Sequence, residues 1–419
     1  MSAAAVGSLG WRFGAEEADL GDALDRFLAA RPVQPRVLGL GEPTHLFAAF
    51  PLLRNRVLRH LVERHGYRSI AIESDCVAGL VVNDHVTTGA GDLDEVVANG
   101  LSHGFRDEAA NRELIAWLRA VNAARDPADH VRFHGFDAPI EMSHAASPRQ
   151  ALTALHDYLA AHLDPARVPH SIAAVDELVG DDNEWTNPEA GMDPTRSVGR
   201  SARARQLRVV SDDLIGVLAA EAPSLRAATS PAAYDRACLF ARTAQGLLRY
   251  HAVMADPGTE RVARMLATRD AMMADNLVAI AAAEAERGPT LVFAHNGHLQ
   301  RHRTRWRNDV VDVRWWSAGA LVAPRLGADY AVIGADFGVA PAVGLTDPGS
   351  DSLQGLLAES TEDGALYPAD QLVEALGGRT DLVPRRDAAA EPRYIPLDVE
   401  ALGGVDAIAL VRDAGPAEH

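Results

Sequence analysis

Apolar residues come in six short runs: "RVLGLGE" (36–42), "RSIAIES" (68–74), "VRFHGFD" (131–137), "TLVFAHN" (290–296), "YAVIGADFG" (330–338) and "DAIALVRD" (406–413). Runs of about four to eight apolar residues bounded by breakers predict buried strands. Between them the spacing becomes helical. In "HLFAAFPLLRNRVLRHLVERHG", Leu46, Phe50, Leu53, Val57 and Leu61 share one stripe, with Arg54, Arg56, Arg59 and Glu63 mostly off it and a stop at Gly66. Pro51 inside this run predicts a kink or a helix start. "ANRELIAWLRAVNAAR" predicts a second helix. Such alternation points to an α/β fold, a largely parallel central sheet flanked by helices.

The middle of the chain breaks the alternation. From 146 to 285 the pattern is alanine- and leucine-rich and helical, with no strand-like run. It predicts a mostly helical insertion between the third and fourth strands, a lid or cleft wall carried by an α/β core of 1–145 and 286–419. The segment 180–197 reads as a long polar loop, and the tail after about 340 is mixed.

Bulk properties narrow the function. Of 419 residues, 40 are basic and 58 acidic, net −18, which argues against nucleic acid or an anionic membrane surface as partner. Cys76 and Cys238 cannot form a disulfide framework, so a reducing, cytoplasmic setting is expected. The first residues show no signal-peptide pattern, and no apolar run reaches the ~18 residues of a membrane span. The expected partner is a small-molecule substrate; oligomeric state is not readable.

The ends of the predicted strands carry the chemistry: Glu42 with His45, then Glu73, Asp137, and His295 with His298. In open α/β sheets, ligands bind beyond the carboxyl ends of the strands. Singly, each residue reads as a helix cap or a solvated group; Thr44 is as good a cap as Glu42. Together they suggest a site. Hydrolysing an ester at neutral pH needs a base for water, and an imidazole oriented by a carboxylate suits this. Glu42 precedes His45 by three residues, and in a helical turn both would share a face. Arg54, further along that helix, is suited to holding a carboxylate or an oxyanion. Glu42, His45, Glu73, His295 and His298 are also possible zinc or manganese ligands, but the expectation is no cofactor. The chain has no Gly-x-Ser-x-Gly elbow and no Gly-x-Gly-x-x-Gly loop. His60, His65 and His130 are expected in solvent, and Cys76 in the core.

In an ordered series of motifs the chain resembles the erythromycin esterase family: "GEPTH" (41–45), Arg54, "IAIES" with Glu73, "FHGFDAP" with Asp137, "TRDAMMADNL" (268–277), "AHNGH" (294–298) and "AGALVAPRLGADYAVIGADFG" (318–338). The resemblance implies His45 as water-activating base, with Glu73, Glu42, Arg54 and His295 around it. Asp137, His298, Asn296 and Arg269 are then expected to contact substrate. Leu46 stands where the family often has glycine and Ala49 where it often has an acid, and "SHGFRDEAAN" (102–111) lacks a Trp-x-Thr pattern. Kept chemistry on a different substrate follows from such departures. The expected function is hydrolysis of a lactone or ester of a small-molecule natural product. The alternatives are acyl transfer or elimination at the same site in a biosynthetic pathway, and ligand or metal binding without turnover.

Overall fold

The computed structural model describes residues 6–141, 144–307, 312–377 and 382–415. Its strands are β1 (Trp11–Phe13), β2 (Val37–Glu42), β3 (Ser69–Asp75), β4 (Arg132–Asp137), β5 (Thr290–His295), β6 (Arg303–Arg307), β7 (Asp312–Trp316), β8 (Tyr330–Val339), β9 (Gly364–Pro368) and β10 (Ala407–Asp413). The six predicted strands are β2, β3, β4, β5, β8 and β10, each within one residue of its expected bounds. They join β1 and β9 in one sheet of order β1-β9-β10-β8-β2-β5-β3-β4, while β6 and β7 pair separately. The ladders β10/β8, β8/β2, β2/β5 and β5/β3 are parallel; β9 runs antiparallel to both β10 and β1. The fold is thus α/β with a mostly parallel sheet and a helical insertion. Every residue of β2 and β5 is buried, as parallel strands covered on both faces require.

By internal contacts the chain forms two units: Met1–Glu73, Gly79–Gly135 and Leu277–His419, and Ser74–Ala78 with Phe136–Asn276. The first holds the sheet core, where Leu38, Leu40, Ile70, Ile72, Leu291, Phe293 and Ile333 pack with α1 (Glu17–Ala29) and α2 (Ala49–Arg64). The second holds α3 (Arg149–His162), α4 (Ala202–Ala220) and α5 (Pro231–Met254) around Leu152, Leu155, Trp185, Leu207 and Leu214. Between residues 146 and 285 no strand occurs among the described residues.

Several local expectations need correction. Pro51 neither kinks nor opens its helix: it is the third residue of α2, where a missing N–H has no carbonyl partner to lose. Arg54 lies on the buried side of α2 with Phe50, Leu53 and Val57, where the amides described below satisfy its guanidinium. The segment 180–197 is no plain loop. Asp181, Asn187 and Asp193 each cap a short helical turn, the last two opened by proline, and the indole of Trp185 is buried, donating to the Val179 carbonyl at 2.9 Å. His130 is buried, and His60 and His65 both contact Asp25 rather than water alone.

One buried carboxylate sets the acid limit of the core. Glu284 meets Arg287 at 2.7 Å, Arg132 at 3.1 Å and His134 at 3.3 Å. Burial opposes its charge, but His134, Arg132 and Arg287 overcome this and hold its pKa at about 2. With the folded pKa depressed, this stability is present above the unfolded value and lost as pH falls through about 4.5 to 2. Glu284→Gln is expected to be ~2 kcal/mol less stable than wild type at pH 7, allowing for the solvent screening of Arg132, with the gap closing towards pH 2. Denaturant melts across that range test it.

Candidate active site

The parallel register delivers the first three groups. Across β2 and β5, Glu42 pairs with His295, and across β3 and β5, Ile72 pairs with Phe293, leaving Glu73 one residue beyond the paired stretch. After Glu42 the chain bends rather than coils; α2 begins only at Ala49. Even so, His45 turns back so that its Nδ1 lies 2.7 Å from Glu42 Oε1. Its Nε2 lies 3.6 Å from Glu73 Oε1. Both carboxylates are buried, while the imidazole keeps 25% of its surface exposed. His45 is therefore an accessible base held between two hidden acids.

Electrostatics follow from that placement. Burial would lower the pKa of His45, but the nearby charge of Glu73 and the hydrogen bond to Glu42 raise it to about 10. Glu73 is held well below the usual carboxylate range: burial opposes ionisation, but His298 and His45 outweigh it. Glu42 moves the other way, raised by burial and by the Glu73 charge against the opposing pull of His45 and Arg54. Glu42 and His45 consequently act as one proton-holding pair. Glu42 Oε2 and Thr44 Oγ1 are buried without a hydrogen-bond partner among the described residues, so both remain able to bond a bound molecule.

The second pair of histidines plays a different part. His295 caps the short helix Asn296–Leu299: its Nδ1 accepts the Gly297 N–H at 2.9 Å, and its Nε2 donates to the Pro43 carbonyl at 3.0 Å. Both ring nitrogens are thereby committed in the neutral form. Burial, reinforced by the His45 charge, pushes its pKa down to about 3. Its backbone N–H also donates to Glu73 Oε2 at 2.8 Å. His298 reaches the other oxygen of Glu73, with Nε2 at 3.2 Å. Glu73 is the hub joining His45, His295 and His298.

Arg54 stands behind this cluster. Its guanidinium donates to Asn111 at 2.7 Å and to Asn55 at 2.8 and 3.1 Å, and it stacks 5.0 Å from the centre of the Phe293 ring. Burial lowers its pKa to about 10 against the charges of Glu108 and Glu42. Asn111 in turn donates to Glu108 at 2.6 Å and to the carbonyl of Phe105 at 2.9 Å. The Phe105 ring meets His45 edge-on at 5.4 Å. Asn55, Phe105, Glu108 and Asn111 were not anticipated from sequence. The available signal was a polar residue, Asn111, on the apolar face of an otherwise amphipathic helix.

Backbone strain marks two loops of this unit. Leu46 adopts φ +68° and His103 φ +59°, a region costly by ~1 kcal/mol or more for residues with a β-carbon.

The remaining expected residues have the following partners. Asn296 is buried, and its amide bridges the backbone of β8, donating to the Ala335 carbonyl at 2.7 Å and accepting the Ala335 N–H at 3.0 Å. Asp137 and Arg269 belong to the second unit, where Arg269 forks onto the carboxylate with contacts of 2.6 and 3.0 Å. Asp137 also accepts the Ala138 N–H at 2.8 Å. Cys76 is buried beside Thr243, and burial pushes its thiol up to about 12, which disfavours the thiolate. As to metals, the described residues bring three donor groups within 4.8 Å of one another at Asp25, His60 and His65.

The chain is thus an α/β protein with a mostly parallel sheet and a buried cluster of carboxylates and imidazoles near the carboxyl ends of β2, β3 and β5. The erythromycin esterase family model matches residues 62–396, and the chain belongs to that family. The match takes in Glu73, Asp137, Arg269, His295, Asn296 and His298; Glu42, His45 and Arg54 lie before it. Among curated proteins, an erythromycin esterase type II of Escherichia coli is 32% identical over 120 residues, 28% of this chain and 27% of that protein. Three solved structures share the fold. One is a Bacillus cereus protein (16% identity, TM-score 0.75, 99% of this chain and 98% of that one). Another is a succinoglycan biosynthesis protein (17%, 0.68, 99% and 97%). The third is a mutant of erythromycin esterase EreC in its open conformation (18%, 0.65, 92% and 91%).

Proposed function

We propose that the protein hydrolyses an ester or lactone of a small-molecule natural product by water activated at His45, with no cofactor. The observation that carries this reading is the seat of His45, with Nδ1 on Glu42 at 2.7 Å and Nε2 3.6 Å from Glu73. A water beside that gap can be within hydrogen-bond reach of both Nε2 and the Glu73 oxygen. Nε2 takes its proton as the oxygen attacks the carbonyl carbon. The imidazolium formed lies between two carboxylates, which stabilise it as the reaction proceeds. Returning that proton to the leaving alkoxide completes the turnover.

His295 has both ring nitrogens bound to backbone and supports Glu73 instead of exchanging protons. Arg54 places positive charge near Glu42 from within the core and acts by positioning. A carboxylate pair this close makes His45 a strong base, but one protonated at rest near neutrality.

Two measurements test the proposal. On a base-stable ester, kcat/KM corrected for hydroxide is expected to rise with pH towards about 10, without levelling near the usual imidazole value. His45→Ala is expected to lower it ~10²–10⁴-fold and flatten the profile. Product formed in ¹⁸O-water should carry one label. Unlabelled product would indicate transfer or elimination, and a His45→Ala profile superimposable on wild type would overturn the role of the imidazole.

A further inference from the structure

A second histidine–carboxylate cluster lies on the first unit, outside the group around His45. It joins α1 to the C-terminal end of α2. His60 Nε2 lies 2.6 Å and His65 Nε2 2.7 Å from a single oxygen, Asp25 Oδ1. The two rings are 5.4 Å apart, inclined at 50°. We infer that Asp25, His60 and His65 form a binding site for one zinc ion.

Three arguments support the assignment. The donor set is one carboxylate oxygen and two imidazole nitrogens, the mixture zinc takes readily, and all three atoms lie within 4.8 Å of one another. Ligands of a tetrahedral zinc at ~2.0 Å stand roughly 3.3 Å apart, so small side-chain rotations suffice to admit the ion. Secondly, His60 is held in place by an unusual choice beneath it. Gly21 lies one turn before Asp25 inside α1, and a β-carbon there would be 2.8 Å from both Cε1 and Nδ1 of His60. Glycine weakens a helix interior, and here it lets the ring lie against the helix with Nε2 aimed at Asp25. Thirdly, the cluster is open to solvent: the side chains of Asp25, His60 and His65 are 51%, 17% and 24% exposed.

On binding, the two Nε2 lone pairs and Asp25 Oδ1 coordinate zinc, the ring protons move to Nδ1 or leave, and water completes the sphere. No step of ester hydrolysis runs through this ion. Its effect is to tie α1 to α2, the helix that carries Arg54.

The test uses tag-free, full-length protein stripped with a chelator and titrated with zinc chloride by calorimetry. Wild type is expected to bind one zinc per chain, and His45→Ala to retain it. Asp25→Asn and His65→Gln are each expected to weaken binding at least about tenfold, and Gly21→Ala, which displaces the His60 ring without removing a donor, to weaken it as well. Zinc should raise the melting temperature of wild type and not of Asp25→Asn. The assignment is overturned if wild type binds no zinc, or if Asp25→Asn and His65→Gln bind it as tightly as wild type. Loss of zinc in His45→Ala with retention in Asp25→Asn would place the ion at the other cluster and overturn it equally.

Discussion

Glu73→Gln is expected to remove ~10²–10⁴ of kcat/KM while leaving the protein folded. The substitution preserves shape, and the amide oxygen can still accept the His295 N–H now bonded at 2.8 Å. It removes the charge facing His45 at 3.6 Å and His298 at 3.2 Å. That charge is the foremost influence raising His45 above its ordinary pKa. Without it the imidazole titrates lower, so the rising limb of the pH profile moves towards neutrality even as the ceiling falls. A role confined to packing would change the melting temperature and leave that limb in place. Profiles of both proteins on one substrate, with melting curves, separate the cases. Equal activity in Glu73→Gln and wild type would remove Glu73 from the mechanism.

The six strands could be read because buried parallel strands are continuous apolar runs between breakers, a local property. The antiparallel strands β1 and β9 could not: "WRF" and "GALYP" owe their conformation to antiparallel partners distant in the chain. The site followed the same division. Glu42, His45, Glu73, His295 and His298 lie at or within three residues of the carboxyl ends of β2, β3 and β5, and strand ends in such a sheet converge, so their meeting was anticipated. What each does was not. His295 was expected among the groups around the water-activating base, yet the Pro43 carbonyl and the Gly297 N–H occupy its ring, and no sequence pattern reveals backbone partners. Arg54 was expected to hold a carboxylate or an oxyanion; its burial depends instead on Asn55 beside it and Asn111 fifty-seven residues away, which no local pattern reveals. His60 and His65 remain partly exposed, but their shared partner Asp25 could not be read because it belongs to another helix.

The other large effect concerns Gly41, one residue before Glu42 in β2. A β-carbon built there would overlap Asn296 Oδ1, far inside van der Waals contact. That oxygen cannot easily retreat, because it accepts the Ala335 N–H at 3.0 Å while the same amide donates to the Ala335 carbonyl at 2.7 Å. Gly41→Ala must therefore displace the amide, exposing two buried backbone groups, or push β2 away from the helix Asn296–Leu299. Either route costs about 3 kcal/mol or more, combining overpacking with unmet hydrogen bonds. Asn296→Ala alone loses the two bonds without a clash, at ~2–4 kcal/mol. In the double variant the shortened side chain leaves room for the new methyl, so the combined loss should fall short of the sum by ~1–3 kcal/mol. Chemical denaturation of the four proteins measures that coupling. Simple additivity would mean that the strand accommodates alanine by another path, and that Asn296 does not explain why β2 carries glycine next to Glu42.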